Sequence, residues 1–205
     1  MATATAPAPS TRNITRLFRQ ATPDQISAGL DWYRDAHDIA GGLASEHGTT
    51  IEVTSGVIAA LSPLNSWVSN VGLAGRFLAA GGLDAGYLST GLRKAQAILD
   101  GADIIPTLSG EKTQNFYRSI MTAGADGVTI DRHSWSLSVN IRYSDDNFPS
   151  LRGKRYALAV AAHERAARIL SKEYGMLITP AQTQATTWTL WRLKFWSAGA
   201  FDVAA

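Results

Sequence analysis

The chain predicts an all-α fold of about eight helices. Three features of its 205 residues point there. Apolar residues recur at helical spacing through most of the chain. Alternating patterns are nearly absent, with only residues 127–130 briefly extended. Helix-starting and helix-stopping residues bracket the periodic segments in the right order.

Residues 1–12 open on alanine, threonine and proline and read as a disordered arm. They have neither the charged start nor the apolar run of a signal peptide. Residues 13–205 read as one helical domain, or one domain in two lobes with the site between them. Thr22-Pro23-Asp24 gives an N-cap, a proline at the first helical position and an acid in the first turn. Ile26, Leu30, Tyr33, His37, Ala40 and Ala44 then repeat at helical spacing up to Gly48. Residues 53–61 form a small-residue apolar helix stopped by Ser62-Pro63, and Ser66 caps the next, which ends at Gly81-Gly82. Shorter helices follow over 92–99, 109–122 and 131–141. Residues 154–174 make a long helix with Leu158, Ala162, Ala166 and Leu170 along one inward stripe and Gly175 behind it. Thr179-Pro180 starts the last helix. There Trp188, Trp191, Phe195 and Trp196 cover more than one face; most belong to the core and one or two at the rim can stack on a base.

Composition narrows the function classes. No cysteine is present, which excludes disulfides, cysteine-ligated zinc and iron–sulfur clusters. No apolar run reaches membrane-spanning length, so cytoplasmic residence is the expectation. Net charge is only +2, yet residues 151–172 hold six Lys/Arg against the single acid Glu164. Such a stretch is either a solvated helix face or a surface that meets phosphates. Asp145-Asp146-Asn147 lacks the glycine and distant glutamate of a calcium loop and reads as a polar loop. No metal and no cofactor are expected.

The chemistry concentrates in Leu108-Ser-Gly110-Glu-Lys112-Thr113 and Val128-Thr-Ile-Asp131-Arg-His133. Gly110 is expected to free the backbone where the chain turns into a helix, exposing N–H groups that can bind phosphate. Lys112 lies in the first turn of that helix, where the dipole disfavours a cation. It is either a solvent-exposed lysine or an amine that attacks a sugar carbon or holds a phosphate. Asp131 precedes a helix and is a favoured N-cap. An ionised carboxylate there can also stabilise the cation formed when a glycosidic bond breaks, or activate a water. His133 is either a helper of Asp131 or an ordinary helix residue. Trp67, after the polar break Ser62-Pro-Leu-Asn65-Ser66, sits where a wedge or pocket wall is expected, or at a plain helix connection.

In order and spacing, residues 50–195 resemble the helix-hairpin-helix DNA glycosylase superfamily, the group that includes endonuclease III. Ile58-Ala-Ala-Leu61-Ser62 with Asn65-Ser-Trp67 resembles the apolar helix that ends in a substrate-facing turn. Lys94-Ala95 with Ile98 resembles the helix before the hairpin, and residues 108–113 resemble the hairpin and the start of its second helix. Val128-Thr-Ile-Asp131-Arg-His133 resembles the motif with the catalytic aspartate. The resemblance implies Asp131 as catalytic carboxylate and Lys112 as the Schiff-base lysine of bifunctional members. It implies Gly110, Thr113, Arg132 and Arg142 at the DNA backbone, and Asn65, Trp67, His133 and Trp188 around an extruded base. The partner it implies is DNA. The turn departs from the family by holding one glycine, with Glu111 beside it. The chain is also similar to virus-encoded relatives with an aspartate-arginine-histidine motif and a Gln184-Ala185-x-x-Trp188 pattern. Some viral proteins of this fold serve thymine hypermodification. Two alternatives to base excision follow: a transferase modifying a thymine-type base, and a non-catalytic module binding nucleic acid or protein.

Overall fold

The computed structural model describes residues 7–82, 89–144 and 146–196, and among these the fold is all α, with ten helices and no strand. They are α1 (Thr11–Phe18), α2 (Pro23–Glu46), α3 (Ile51–Leu61), α4 (Trp67–Ala79), α5 (Ser89–Leu99), α6 (Ile104–Leu108), α7 (Glu111–Met121), α8 (Arg132–Val139), α9 (Lys154–Tyr174) and α10 (Pro180–Trp196). Among the described residues no helix is long and apolar enough to cross a membrane.

Two helices exceed the sequence expectation. α1 spans two turns, with Ile14, Leu17 and Phe18 buried and Arg12, Arg16 and Arg19 exposed. Its start overrides the expected arm boundary at residue 12. Thr11 and Arg12 are helical, and the Ser10 amide donates to Ser138 O at 2.9 Å. Residues 1–6 of the arm lie outside the described residues. α6 has five residues, too few for a periodic signal.

The described residues form two compact units, residues 7–31 with 128–196 and residues 32–127. In unit 1, α1 packs against α8, α9 and α10. Ile14 and Leu17 meet Leu137, Ala162, Ala166, Leu190 and Trp191; Phe18 meets Leu170 and Ile178. α9 turns inward on Tyr156, Ala159, Ala162, His163, Ala166 and Leu170. The expected stripe holds at Ala162, Ala166 and Leu170 but not at Leu158, which is 46 % exposed. Alanines carry little hydrophobic signal, and the bulky Tyr156 decides the inward face.

Unit 1 also buries a polar layer: Ser134, Ser136 and Ser138 of α8 and Thr183, Gln184, Thr186, Thr187 and Thr189 of α10. Several threonines satisfy themselves within the helix. Thr186 Oγ1 donates to Gln182 O at 2.9 Å, Thr187 Oγ1 to Thr183 O at 2.8 Å and Thr189 Oγ1 to Ala185 O at 3.0 Å. Bonded this way, small hydroxyl side chains can be buried without the full desolvation cost. They also let helices come close, and α2 meets α10 where Gly29 faces Thr186.

In unit 2, α3 is the central element, packed by α4, α5, α6 and α7. It is buried around its whole circumference from Thr54 to Leu61, as a helix apolar on all sides requires. Thr50 caps it through Val53 N at 3.2 Å, and Ser66 caps α4 through Ser69 N at 3.2 Å.

Candidate functional site

The aspartate expected to act sits at the end of a buried, pinned segment. Val128, Thr129 and Ile130 are buried. Tyr156 Oη donates to Val128 O at 2.8 Å and accepts from Ile130 N at 3.1 Å, tying the segment to α9. Asp131 then caps α8 in extended conformation, Oδ1 accepting from Ser134 N at 2.7 Å. Oδ2 accepts from Trp188 Nε1 at 2.8 Å. Both oxygens thus act as acceptors, the role of an ionised carboxylate. Asp131 stays half-buried, so solvent or substrate reaches it.

A shell holds this geometry. Ser134 Oγ donates to Thr129 O at 3.3 Å and accepts from Gln184 Nε2 at 3.1 Å. The Arg192 guanidinium lies 4.7 Å from the Trp188 ring centre, and His133 meets that ring edge-on with centroids 6.3 Å apart. Trp188 therefore presents an aromatic wall beside a carboxylate, with a cation on its face. Of the expected site residues, Asp131, His133 and Trp188 come together here. Arg132 is the first residue of α8; Arg142 is exposed, its guanidinium 5.4 Å from the Phe195 ring. Arg192 and the Ser134–Gln184 pair were not expected. Only the glutamine-to-tryptophan spacing on α10 signalled any of this.

His163 on α9 adds a buried titratable group. It is fully buried, Nδ1 lies 2.9 Å from Ala159 O, and among the described residues Nε2 has no hydrogen-bond partner. A carbonyl neighbour makes Nδ1 the protonated nitrogen, leaving Nε2 as a bare acceptor. Burial pushes its pKa down from 6.5 to about 4, against the Ala159 hydrogen bond and the Asp131 charge, which act to raise it. Between these two values the unfolded chain takes up a proton that the folded chain refuses. Stability is therefore full above the upper value and declines as pH falls towards the lower one, by about 3 kcal/mol. Thermal melts between pH 7 and 4 should show this decline in wild type and a flatter profile in His163→Gln; equal slopes would contradict it.

The other expected residues lie in unit 2. Lys94 braces the α6–α7 turn, donating from Nζ to Leu108 O at 2.8 Å and Ser109 Oγ at 2.7 Å. Thr113 Oγ1 lies 3.0 Å from Gly110 O and 3.3 Å from Leu108 O. In this braced turn Ser109 takes the left-handed conformation, φ 55°, while Gly110 is extended at φ −127°. The expectation that Gly110 supplies backbone freedom is corrected: the strained position is one residue earlier, and a Cβ on Gly110 would meet Thr113 Oγ1 at an ordinary 3.4 Å. Lys112 is half-buried in the first turn of α7 and has no hydrogen bond or ion pair among the described residues. A cleft of about 230 Å³ opens beside the brace, lined by Ala60, Pro63, Ser89, Thr90, Lys94 and Thr113 among others.

The turn after α3 positions Asn65 and Trp67, both half-buried. Asn65 Nδ2 donates to Leu61 O at 3.0 Å, closing the helix end. Trp67 packs on Trp32, centroids 5.1 Å apart, in an aromatic cluster with Phe116. The residue displayed at the tip is Leu64, 89 % exposed at φ 63°. A leucine held in the left-handed region against its preference is unusual. Among the described residues no group of three His, Cys, Asp or Glu could hold a metal ion. Asp145 and the Trp196 side chain lie outside the described residues; the loop at Asp146 closes through Asn147 Oδ1, which accepts from Ser144 N at 2.8 Å.

The model of one protein family, described as a family of unknown function (DUF7178), matches residues 1–195. No curated protein and no solved structure matches the chain.

Proposed function

The chain belongs to this family of unknown function, and we propose that it is a DNA glycosylase-like enzyme acting on an extruded or modified base. The observation that carries the reading is the Asp131 carboxylate, fixed by Ser134 N and by the indole of Trp188. When a glycosidic C–N bond breaks, the electron pair leaves with the base and positive charge develops on the sugar. A carboxylate beside the sugar opposes that charge; water then bonds to the anomeric carbon, and the proton it loses passes through Asp131 or solvent to the base that departed with the electron pair. In this reading Trp188 and His133 border the base, and Arg132 and Arg142 serve phosphates with Gly110 and Thr113. Lys112, carrying an uncommitted amine, is the Schiff-base nucleophile or a phosphate ligand.

Leu64 supports the same reading. Proteins that open duplexes insert apolar side chains between base steps, and a turn tip with an exposed leucine has that form. The all-α fold class is in keeping with the helix-hairpin-helix superfamily that the sequence motifs resemble.

The test is product analysis. The protein is incubated with DNA carrying natural, damaged and virus-type modified bases, and products are read by mass spectrometry. A freed base or abasic site supports excision. An altered base still on its sugar would move the reading to base modification, and intact DNA throughout would leave a binding module.

A further inference from the structure

Charge is divided unevenly between the two units. Residues 7–31 and 128–196 carry thirteen Lys/Arg against seven Asp/Glu, a net +6, while residues 32–127 carry six against nine, a net −3. The unit that contains the α6–α7 turn is thus the acidic one, with Glu111 at the turn itself. A phosphate contact of Gly110 or Thr113 at that turn would therefore get little help from the charge of its own unit.

The excess of unit 1 gathers on two neighbouring helices. α1 and α9 run side by side in the same direction. At one end Thr11 Oγ1 lies 3.4 Å from Ala162 O and 3.3 Å from Arg165 Nε. At the other, Arg19 pairs with Glu173 at 2.7 Å and Phe18 meets Tyr174 edge-on. Arg12, Arg16 and Arg19 are exposed along α1. Lys154, Arg165, Arg168 and Lys172 are exposed along α9. At 100° of turn per residue, Lys154, Arg165 and Lys172 fall within about 20° of one line and Arg168 about 40° to 60° from them. The exposed bridges Arg165–Thr11 and Arg19–Glu173 lie between the two stripes, so both flank one seam.

Counter-charge is scarce. α1 has no acid, and α9 has Glu164 and Glu173, the latter already paired with Arg19. Neither helix has an acid in its first turn. Like charges three and four residues apart, and cations in a first turn, both disfavour a helix. Arg16 and Lys172 in last turns and the Arg19–Glu173 pair offset only part of this, whereas an external polyanion would meet the whole stripe. α9 is on the order of 30 Å long, close to one turn of duplex DNA.

We propose that the paired α1/α9 face grips the phosphate backbone of duplex DNA. The proposal rests on DNA being the partner, as in the function proposed above, and is independent of any chemistry at Asp131. The test is fluorescence anisotropy with a 20-base-pair duplex as a function of salt. In the variant Arg12→Gln/Arg16→Gln/Arg168→Gln/Lys172→Gln, the slope of log K against log salt should become shallower by about 3 to 4. The control Arg12→Lys/Arg16→Lys/Arg168→Lys should keep the wild-type slope, showing that charge and not helix packing is read. Asp131→Asn should also keep it, so a shallower slope without base release would uphold this face while the excision reading fails. An unchanged slope in the glutamine variant would overturn the proposal. So would a wild type that ignores the duplex at 50 mM salt, whether or not it binds phosphatidylserine vesicles.

Discussion

Asp131→Asn should cut base release by at least about 100-fold while leaving the fold in place. The amide can keep the cap, because its carbonyl oxygen still accepts from Ser134 N. Its NH2 group then faces the Trp188 N–H, so a hydrogen bond becomes a donor–donor contact. That loss costs about 1 to 2 kcal/mol, a fall of several degrees in melting temperature. Helical circular dichroism should be unchanged. Base release and a thermal melt on the same preparation check both parts. Full activity in the variant would remove Asp131 from the chemistry and leave it a helix cap.

Gly29→Ala should be among the most destabilising single substitutions in unit 1. A Cβ at residue 29 would overlap Thr186 Oγ1 and stand 2.7 Å from the Thr186 Cα. The obstacle includes backbone, so a side-chain rotation does not relieve it. α2 and α10 must separate, at a cost of about 3 kcal/mol or more. Thr186 lies between Gln184 and Trp188 on α10, the two residues that reach Ser134 and Asp131. The substitution should therefore lower both melting temperature and any activity. Gly42→Ala, where nothing stands within 4 Å of the added atom, is the matched control. Equal melting temperatures for the two variants would contradict the close packing of α2 on α10.

The strongly capped helices were legible in the residues themselves. Ser66 and Asp131 cap as their types suggest. Thr179 and Gln182 cap each other, side chain to backbone in both directions, at 2.9 and 3.1 Å. α1 was hidden because two turns following an alanine- and proline-rich start give too short a period to stand out. The inward face of α9 was legible at Ala162, Ala166 and Leu170 but not at Leu158, because alanine is compatible with either face and gives the stripe no sharp edge. The threonines of α10 look like surface residues until their hydroxyls are seen bonded to the preceding turn. The left-handed positions Leu64 and Ser109 carry none of the glycine or asparagine signal that usually marks one. The Asp131 site was legible in part. The cap and the motif lie within a few residues, but its second partner is 57 residues away on α10, and only folding brings the indole to the carboxylate. His163 showed no motif at all; its burial beside the same site is a tertiary fact.

The central claim is that Asp131 stabilises positive charge on a sugar, and it can be tested without knowing which base is removed. Two duplexes are compared, one with a neutral tetrahydrofuran in place of a nucleoside and one with a cationic pyrrolidine. Wild type should bind the cationic duplex at least about 100-fold more tightly, since transition-state-like ligands gain what the transition state gains. Asp131→Asn should lose that preference while binding the neutral duplex as before. Equal affinity of wild type for the two duplexes, or a preference that survives in Asp131→Asn, would contradict the account.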